Sequence, residues 1–318
     1  MEKAPEFYTL EKGILALKGQ IDALAESDDL SKKDKIAVLR GEIEEEWAKI
    51  LPRLTAVHIV QIARHPKRPY TLDYIPYLFQ EFMEMHGDRR FADDPAIVAG
   101  LASYKGRTVA VIGHQKGRTT RARIERNFGQ ANPEGYRKAL RVMQTAEKFG
   151  YPVITLVDTP GAYPGIGGEE RGQAEAIAFN LKTISTLKVP IINVVIGEGG
   201  SGGGLGIGFG DQLLMLEYSY YSVISPEGCA AILWKDQNAV EKAAESLGIR
   251  ATTLLELGII DRIIPEPPGG AHIDPEQTFK NVDKYIYQAL KKLESKPAAE
   301  LVAERYQKIR KLGVFVEK

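Results

Sequence analysis

The stretch that most constrains this chain is Val194-Val195-Ile196-Gly197-Glu198-Gly199-Gly200-Ser201-Gly202-Gly203-Gly204-Leu205-Gly206-Ile207-Gly208. It is entered by an apolar, β-branched run from Ile191 to Ile196, broken only by Asn193, which reads as a buried strand. A turn of nearly pure glycine follows, and Leu205, Ile207, Leu213, Leu214 and Leu216 then continue as a buried helix or a second strand. A strand–glycine–helix junction leaves backbone N–H groups free at the helix start, aimed at an anion. Glycine removes the Cβ atoms, so a ligand oxygen can approach the main chain. A second junction resembles the first: the apolar strand Tyr151 to Asp158 runs into Thr159-Pro160-Gly161-Ala162-Tyr163-Pro164-Gly165-Ile166-Gly167-Gly168, with a polar helix from about Glu169. Two such junctions can place two N–H donors around one oxygen.

The 318 residues allow one large domain or two ordinary ones. Lys+Arg and Asp+Glu both number 42, so no global field selects nucleic acid or an anionic membrane. A lone cysteine, Cys229, cannot build a disulfide framework or a cysteine zinc site, and no metal site is expected in the chain. The first residues carry no apolar signal core and no long uncharged apolar stretch follows, so the expected location is cytoplasmic.

Before Leu72 the pattern is helical. Leu10, Ile14, Leu17, Ile21 and Leu24 form an amphipathic stripe; Ser27 to Leu30 reads as a turn; Ser31 reads as the cap of a second helix carrying Ile36, Leu39, Ile43, Trp47 and Ile50. Such a hairpin packs on its own domain or, as the second choice, docks another subunit. Ala63 to Thr71, broken by Pro66 and Pro69, reads as a basic, solvated linker. The expected division is residues 1–71, a helical hairpin and linker, and residues 72–318, the main domain with C-terminal helices. Tyr74 to Met85 is expected as a helix, Ile97–Ala102 and Thr108–Gly113 as a strand hairpin around Lys105-Gly106-Arg107, and Glu134 to Phe149 as a helix. The run Arg118, Arg121, Arg123, Arg126 reads as a solvated face, with phosphate binding as the sharper alternative. Strand and helix alternate from there on, so the core is α/β.

Several of these stretches match one family together. Asp158-Thr159-Pro160-Gly161-Ala162-Tyr163-Pro164-Gly165, Glu198-Gly199-Gly200-Ser201-Gly202-Gly203 and Tyr221-Ser222-Val223-Ile224-Ser225-Pro226-Glu227-Gly228 resemble the carboxyltransferase alpha subunits of bacterial acetyl-CoA carboxylase. So do Arg68-Pro69-Tyr70-Thr71-Leu72-Asp73-Tyr74 and Gly113-His114-Gln115-Lys116-Gly117-Arg118, and the resemblance runs from near the N-terminus to His272. It implies a crotonase-like spiral of β-β-α units with N- and C-terminal helical extensions. The implied activity is transfer of a carboxyl group from carboxybiotin to acetyl-CoA, giving malonyl-CoA. The biotin rides on a biotin carboxyl carrier protein and is not held covalently by this chain. The implied partners are a carboxyltransferase beta subunit, in an α2β2 assembly, and biotin carboxylase in the full complex; zinc belongs only to the beta subunit.

The chemistry fits a site made of backbone. A ureido oxygen and a thioester oxygen both gain transient negative charge, which preorganised N–H donors stabilise. By the resemblance, Gly202 and Gly203 form an oxyanion hole and Gly161 and Ala162 the other donor. Gly199, Gly200, Ser201, Tyr163 and Arg118 are then expected to bind substrate. Gly204 and Gly168 stand where the family suggests alanine, and neither change removes an N–H.

Other readings compete. Gly199-Gly200-Ser201-Gly202-Gly203 also satisfies the G-x-S-x-G pattern of a hydrolase nucleophile elbow, with His272 and Asp211, Asp236 or Asp261 as formal triad partners. A phosphate-binding loop lacks its Lys-Ser/Thr pair. Another acyl-CoA as acceptor and a purely structural subunit complete the alternatives.

Overall fold

The structure, a computed structural model, describes residues 6–26 and 32–313. It opens with α1 (Phe7–Ala25) and α2 (Lys32–Ile50), where the apolar spacing predicts helices. The turn expected at Ser27–Leu30 and the cap at Ser31 lie outside the described residues. Phe7, Ile14, Trp47 and Ile50 close on Leu54, Ile59, Ile62 and Tyr218, so the hairpin packs against its own chain.

Two short helices follow, α3 (Ala56–Ala63) and α4 (Thr71–Leu78). The segment between them is not the solvated linker its prolines and charges suggest. Arg68 is fully buried, pairs with Glu266 at 2.9 Å and donates to the Ile196 carbonyl at 2.7 Å. His65, Tyr70 and Thr71 are buried as well. Charge patterning along the chain cannot foresee carboxylates that arrive from more than a hundred residues away.

The helix expected over Tyr74–Met85 stops at Leu78, and Gln80–Glu84 forms the strand β1. It pairs antiparallel with β2 (Ile97–Tyr104), with Met83 opposite Leu101 and a bulge between Gln80 and Met83. The free N–H and C=O groups along the β2 edge give this segment partners that a helix would not use.

From β2 the chain builds an eight-stranded sheet. The strands are β3 (Arg107–His114), β4 (Val153–Thr159), β5 (Ile191–Gly200), β6 (Gln212–Leu216), β7 (Tyr220–Ser222) and β8 (Arg262–Ile264). Their order is β1-β2-β3-β4-β5-β6-β8, with β7 paired to the end of β5; every pairing from β3 onward is parallel. The connecting helices are α5 (Thr120–Glu125), α6 (Pro133–Phe149), α7 (Ile166–Glu170), α8 (Gln173–Ile184), α9 (Ser201–Leu205), α10 (Pro226–Cys229), α11 (Val240–Ser246) and α12 (Ala251–Glu256). The C-terminal helices are α13 (Pro275–Glu294) and α14 (Ala298–Arg310).

Both faces of the sheet are covered, which is why its strands are apolar without alternation. Ala110, Ile112, Val153, Val157, Ile191 and Val195 meet α6 and α8 on one face. Val109, Val111, Ile154, Leu156, Ile192 and Val194 meet α4 and α13 on the other. Asn193, the one polar residue of its run, accepts the Thr155 hydroxyl at 2.8 Å inside the sheet. Arg305 of α14 is fully buried and grips Asp211 with two bonds of 2.9 Å, tying the last helix to the start of β6.

Candidate active site

The two glycine junctions meet at the carboxyl ends of β4 and β5. Thr159 pairs with Gly199, and β5 remains a strand through Gly200, so the turn begins later than the glycine content suggests. Glu198, Gly199 and Gly200 pair with Tyr220, Tyr221 and Ser222 of β7. The turn itself is Ser201, at φ 50°, a conformation rare outside glycine. The five-residue α9 follows.

Close approach, more than backbone freedom, explains the glycines here. A Cβ on Gly200 would lie 2.2 Å from the Pro160 carbonyl oxygen. One on Gly203 would lie 2.4 Å from the Gly161 carbonyl carbon and 2.6 Å from the Ala162 nitrogen. These neighbours are main chain, so they cannot swing aside. Gly202 differs, since a Cβ there would meet only Ile177, at 3.4 Å.

The main-chain donors follow from this contact. The N–H groups of Ser201, Gly202 and Gly203 open α9 ahead of its first i→i−4 bond. The Ala162 N–H has no hydrogen-bond acceptor among the described residues. The Gly161 N–H is engaged, donating to the Thr159 hydroxyl at 3.1 Å. Tyr163 donates its N–H to the Ala131 carbonyl at 3.0 Å, and its own carbonyl accepts from the Gln173 amide at 3.0 Å, so the first turn is pinned. Gly199 and Gly200 are buried, whereas Ser201 is exposed. Arg118 stands apart: its guanidinium lies 4.8 Å from the Tyr70 ring centre, donates to the Pro66 carbonyl at 3.2 Å and pairs with Asp73, with no hydrogen bond to either turn. Arg123 and Arg126 donate to the carbonyls of Gly117 and Pro95, so part of the basic run closes loops.

Beneath the turns lies a buried charge network that motif reading missed. Lys116 Nζ bridges Asp158 Oδ1 at 2.7 Å and Glu198 Oε1 at 2.6 Å. Arg64 Nε donates to Glu198 Oε2 at 2.7 Å, and the same oxygen accepts the Tyr220 hydroxyl at 2.6 Å. Arg64 Nη1 reaches Glu227 at 2.6 Å, and the Glu198 N–H donates to Asp158 Oδ1 at 2.9 Å. Burial alone would raise the Glu198 pKa, yet Lys116 and Arg64 beside it bring it down to about 2. Asp158, where burial outweighs Lys116, is raised instead. The legible signal was a charged residue at the end of each of three apolar strands: Lys116, Asp158 and Glu198.

His114, at the end of β3, is fully buried in the same place. Its Nδ1 accepts the Asp158 N–H at 3.4 Å, and its ring lies against the Gly203 backbone. Burial, with the Lys116 charge adding to it, lowers its pKa to about 3, so the ring is neutral.

The hydrolase triad is not assembled. His272 Nε2 bonds Glu11 at 2.9 Å and its ring stacks on His65 at 3.7 Å, while His65 bonds the other Glu11 oxygen at 3.1 Å. Because these two rings are nearly parallel, their Nε2 lone pairs run side by side and do not converge on one ion, so the cluster clamps α1 to the chain. His58 is tied to Thr55 and His86 to Asp93. Asp211 holds Arg305, Asp261 pairs with Lys308, and Asp236 caps the turn at Asn238. No imidazole serves Ser201.

A parallel sheet covered on both faces, with main-chain donors gathered at the ends of two adjacent strands, is the arrangement of the crotonase-fold carboxyltransferases. Solved structures bear this out at the level of fold. A transcarboxylase 12S, solved with methylmalonyl-coenzyme A and methylmalonic acid bound, superposes with a TM-score of 0.60 at 20% identity, over 76% of this chain and 44% of that one. The chain thus spans less than half of the transcarboxylase chain. The beta subunit of a geranyl-CoA carboxylase from P. aeruginosa matches with a TM-score of 0.56 at 17% identity, over 77% of this chain and 46% of that one. In sequence, residues 7–313 match the model of the family described as acetyl co-enzyme A carboxylase carboxyltransferase-like, and the chain belongs to that family. Relatives named acetyl-coenzyme A carboxylase carboxyl transferase subunit alpha include one from a Marinomonas species, 52% identical over 97% of this chain and 99% of its own length. Another, from Methylococcus capsulatus, is 52% identical over 98% of each.

Proposed function

We propose that this chain is the alpha subunit of an acetyl-CoA carboxylase carboxyltransferase, forming malonyl-CoA in the first committed step of fatty acid synthesis. It works with a beta subunit of related fold in an α2β2 assembly in the cytoplasm, fed by a biotin carrier protein that biotin carboxylase charges. The beta subunit carries the zinc, because Cys229 here is single and buried. No helix among the described residues is long and apolar enough to cross a membrane.

Carboxybiotin supplies the carboxyl group, and charge grows on its ureido oxygen as that group leaves. The N–C bond to the carboxyl breaks, a C–C bond forms at the acetyl methyl carbon, and the methyl proton replaces the carboxyl on the ureido nitrogen. This chain's part is to hold N–H donors where that oxygen charge develops. The N–H groups of Gly202 and Gly203 serve from the second turn and that of Ala162 from the first, with Gly161 setting the turn. Gly199, Gly200, Ser201, Tyr163 and Arg118 shape the substrate site around them. The observation that carries this reading is the contact of Gly203 with the Gly161–Ala162 peptide, which leaves the Ala162 N–H unbonded.

The test is reconstitution. The chain alone is expected to show little malonyl-CoA decarboxylation with free biotin, and full turnover with a cysteine-rich beta subunit. Full turnover by the chain alone would refute the dependence; none with the partner would refute the function.

A further inference from the structure

We propose that His114 is a positioning residue that couples the two oxyanion turns, linking the strand that leads into Gly161–Ala162 to the backbone of Gly203. The inference rests on the carboxyltransferase reading and names a residue that neither glycine motif contains.

The imidazole is fixed from every side. Its backbone ends β3, where the His114 carbonyl accepts the Thr71 hydroxyl at 2.6 Å. Gly113 beside it packs so closely on Thr71 that a Cβ would lie 2.4 Å from the Thr71 oxygen. The ring is enclosed completely, and Nδ1 takes the Asp158 N–H, so the proton of a neutral ring sits on Nε2. That Nε2 has no full hydrogen bond, an expensive state for a buried donor. The acceptor beside it is the backbone of Gly203, the residue pressed against Gly161 and Ala162.

One side chain therefore touches both turns. A donor left long and poorly aligned in the free protein tightens when the site fills. When an anionic oxygen draws the Gly202 and Gly203 N–H groups toward it, the shift is shared with the Gly203 carbonyl, and the Nε2–H bond closes behind it. The bond then holds the second turn at the spacing the first turn requires. Asp158, Lys116, Glu198, Arg64 and Tyr74 are the charged or titratable groups packed around this region, and they pair with one another or with Glu266, which leaves the imidazole as the neutral link.

The test compares His114→Leu, which fills the space without polar atoms, with His114→Gln, whose amide can donate where Nε2 does. Both are assembled with the beta subunit and assayed for malonyl-CoA decarboxylation. His114→Leu is expected to lower kcat by about ten- to a hundredfold while KM for malonyl-CoA changes less than about threefold. His114→Gln is expected to recover kcat to within about fivefold, with a pH–rate profile that keeps both limbs of the parent's, because a neutral link transfers no proton. If the leucine variant fails to assemble, His114→Asn replaces it: the shorter amide keeps the acceptor for the Asp158 N–H but cannot span to Gly203, and should lose kcat as leucine does. A folded leucine or asparagine variant with parental kcat, a glutamine variant no better than leucine, or loss of one limb of the profile in His114→Gln would overturn the proposal. An inactive parental complex would instead overturn the function on which it rests.

Discussion

Alanine at position 203 adds one methyl group where two backbones already touch. The new Cβ would lie 2.4 Å from the Gly161 carbonyl carbon and 2.6 Å from the Ala162 nitrogen. Ordinary contacts of a Cβ begin near 3.4 Å, so the two turns must part by about 1 Å. Gly203 is not at positive φ, so the cost is one of space and not of backbone conformation. A displacement of about 1 Å in a positioning group costs on the order of a hundredfold in rate. Loss of one oxyanion donor costs a similar 10²–10³-fold, about 3–4 kcal/mol. Gly203→Ala is therefore expected to lower kcat for malonyl-CoA decarboxylation by a hundredfold or more, with both free and carrier-bound biotin. Circular dichroism, a melting curve and co-elution with the beta subunit separate a spoiled site from an unfolded chain. Gly202→Ala provides the contrast, since its methyl would meet only Ile177 at 3.4 Å and should cost far less. A folded, assembled Gly203→Ala variant that works at the parental rate would refute the assignment of this turn, and equal losses at 202 and 203 would refute the steric reasoning.

Three further outcomes can be checked. Lys116→Met leaves Asp158 and Glu198 without their shared cation in a buried site, and chemical denaturation should show a loss of about 3–5 kcal/mol; a loss below about 1 kcal/mol would mean that water or Arg64 compensates. Ser201→Ala should lower turnover less than about tenfold and the protein should resist serine-directed phosphonates, because no histidine reaches this hydroxyl; a fall of about 10⁴-fold or more with phosphonate labelling would restore the hydrolase reading. His114 carries a folded pKa of about 3 against an unfolded value of 6.5, so the unfolded chain takes up a proton below about pH 6.5 that the folded chain refuses until about pH 3. Stability should therefore fall with acid across that window, by about 1.4 kcal/mol per pH unit from this group, and Glu198 adds a loss of the same sign between 4.5 and about 2. Melting temperatures from pH 6.5 to 5 should decline less steeply in His114→Gln than in the parent; equal slopes would show that His114 is not the group responsible.

The sequence by itself determined the strands, the two glycine junctions and the chemistry they permit. Apolar runs such as Val153–Val157 and Ile191–Ile196 carry their structure locally, because a strand buried on both faces must be apolar throughout. The amphipathic stripe of α1 and α2 was legible for the same reason, since a helix face is written in nearby residues. Tertiary structure decided what depends on distant partners. Gln80–Glu84 became a strand because β2 offered it an edge, although its own spacing fits a helix. The segment Arg64 to Thr71 was drawn inward because Glu198, Glu227 and Glu266 meet it from more than a hundred residues away. The same distinction runs through the site. Glycine content marks where a main chain can be approached, but only the fold decides which N–H is free, leaving Ala162 open while Gly161 bonds Thr159. Whether an imidazole is a base or a strut is likewise set by what encloses it: His272, the formal triad partner, is held by Glu11 and His65, and His114 lies between the two turns. Hydrogen bonding and close packing are satisfied in three dimensions by groups that chain order does not bring together, and for this reason the network behind the glycines appears only in the folded structure.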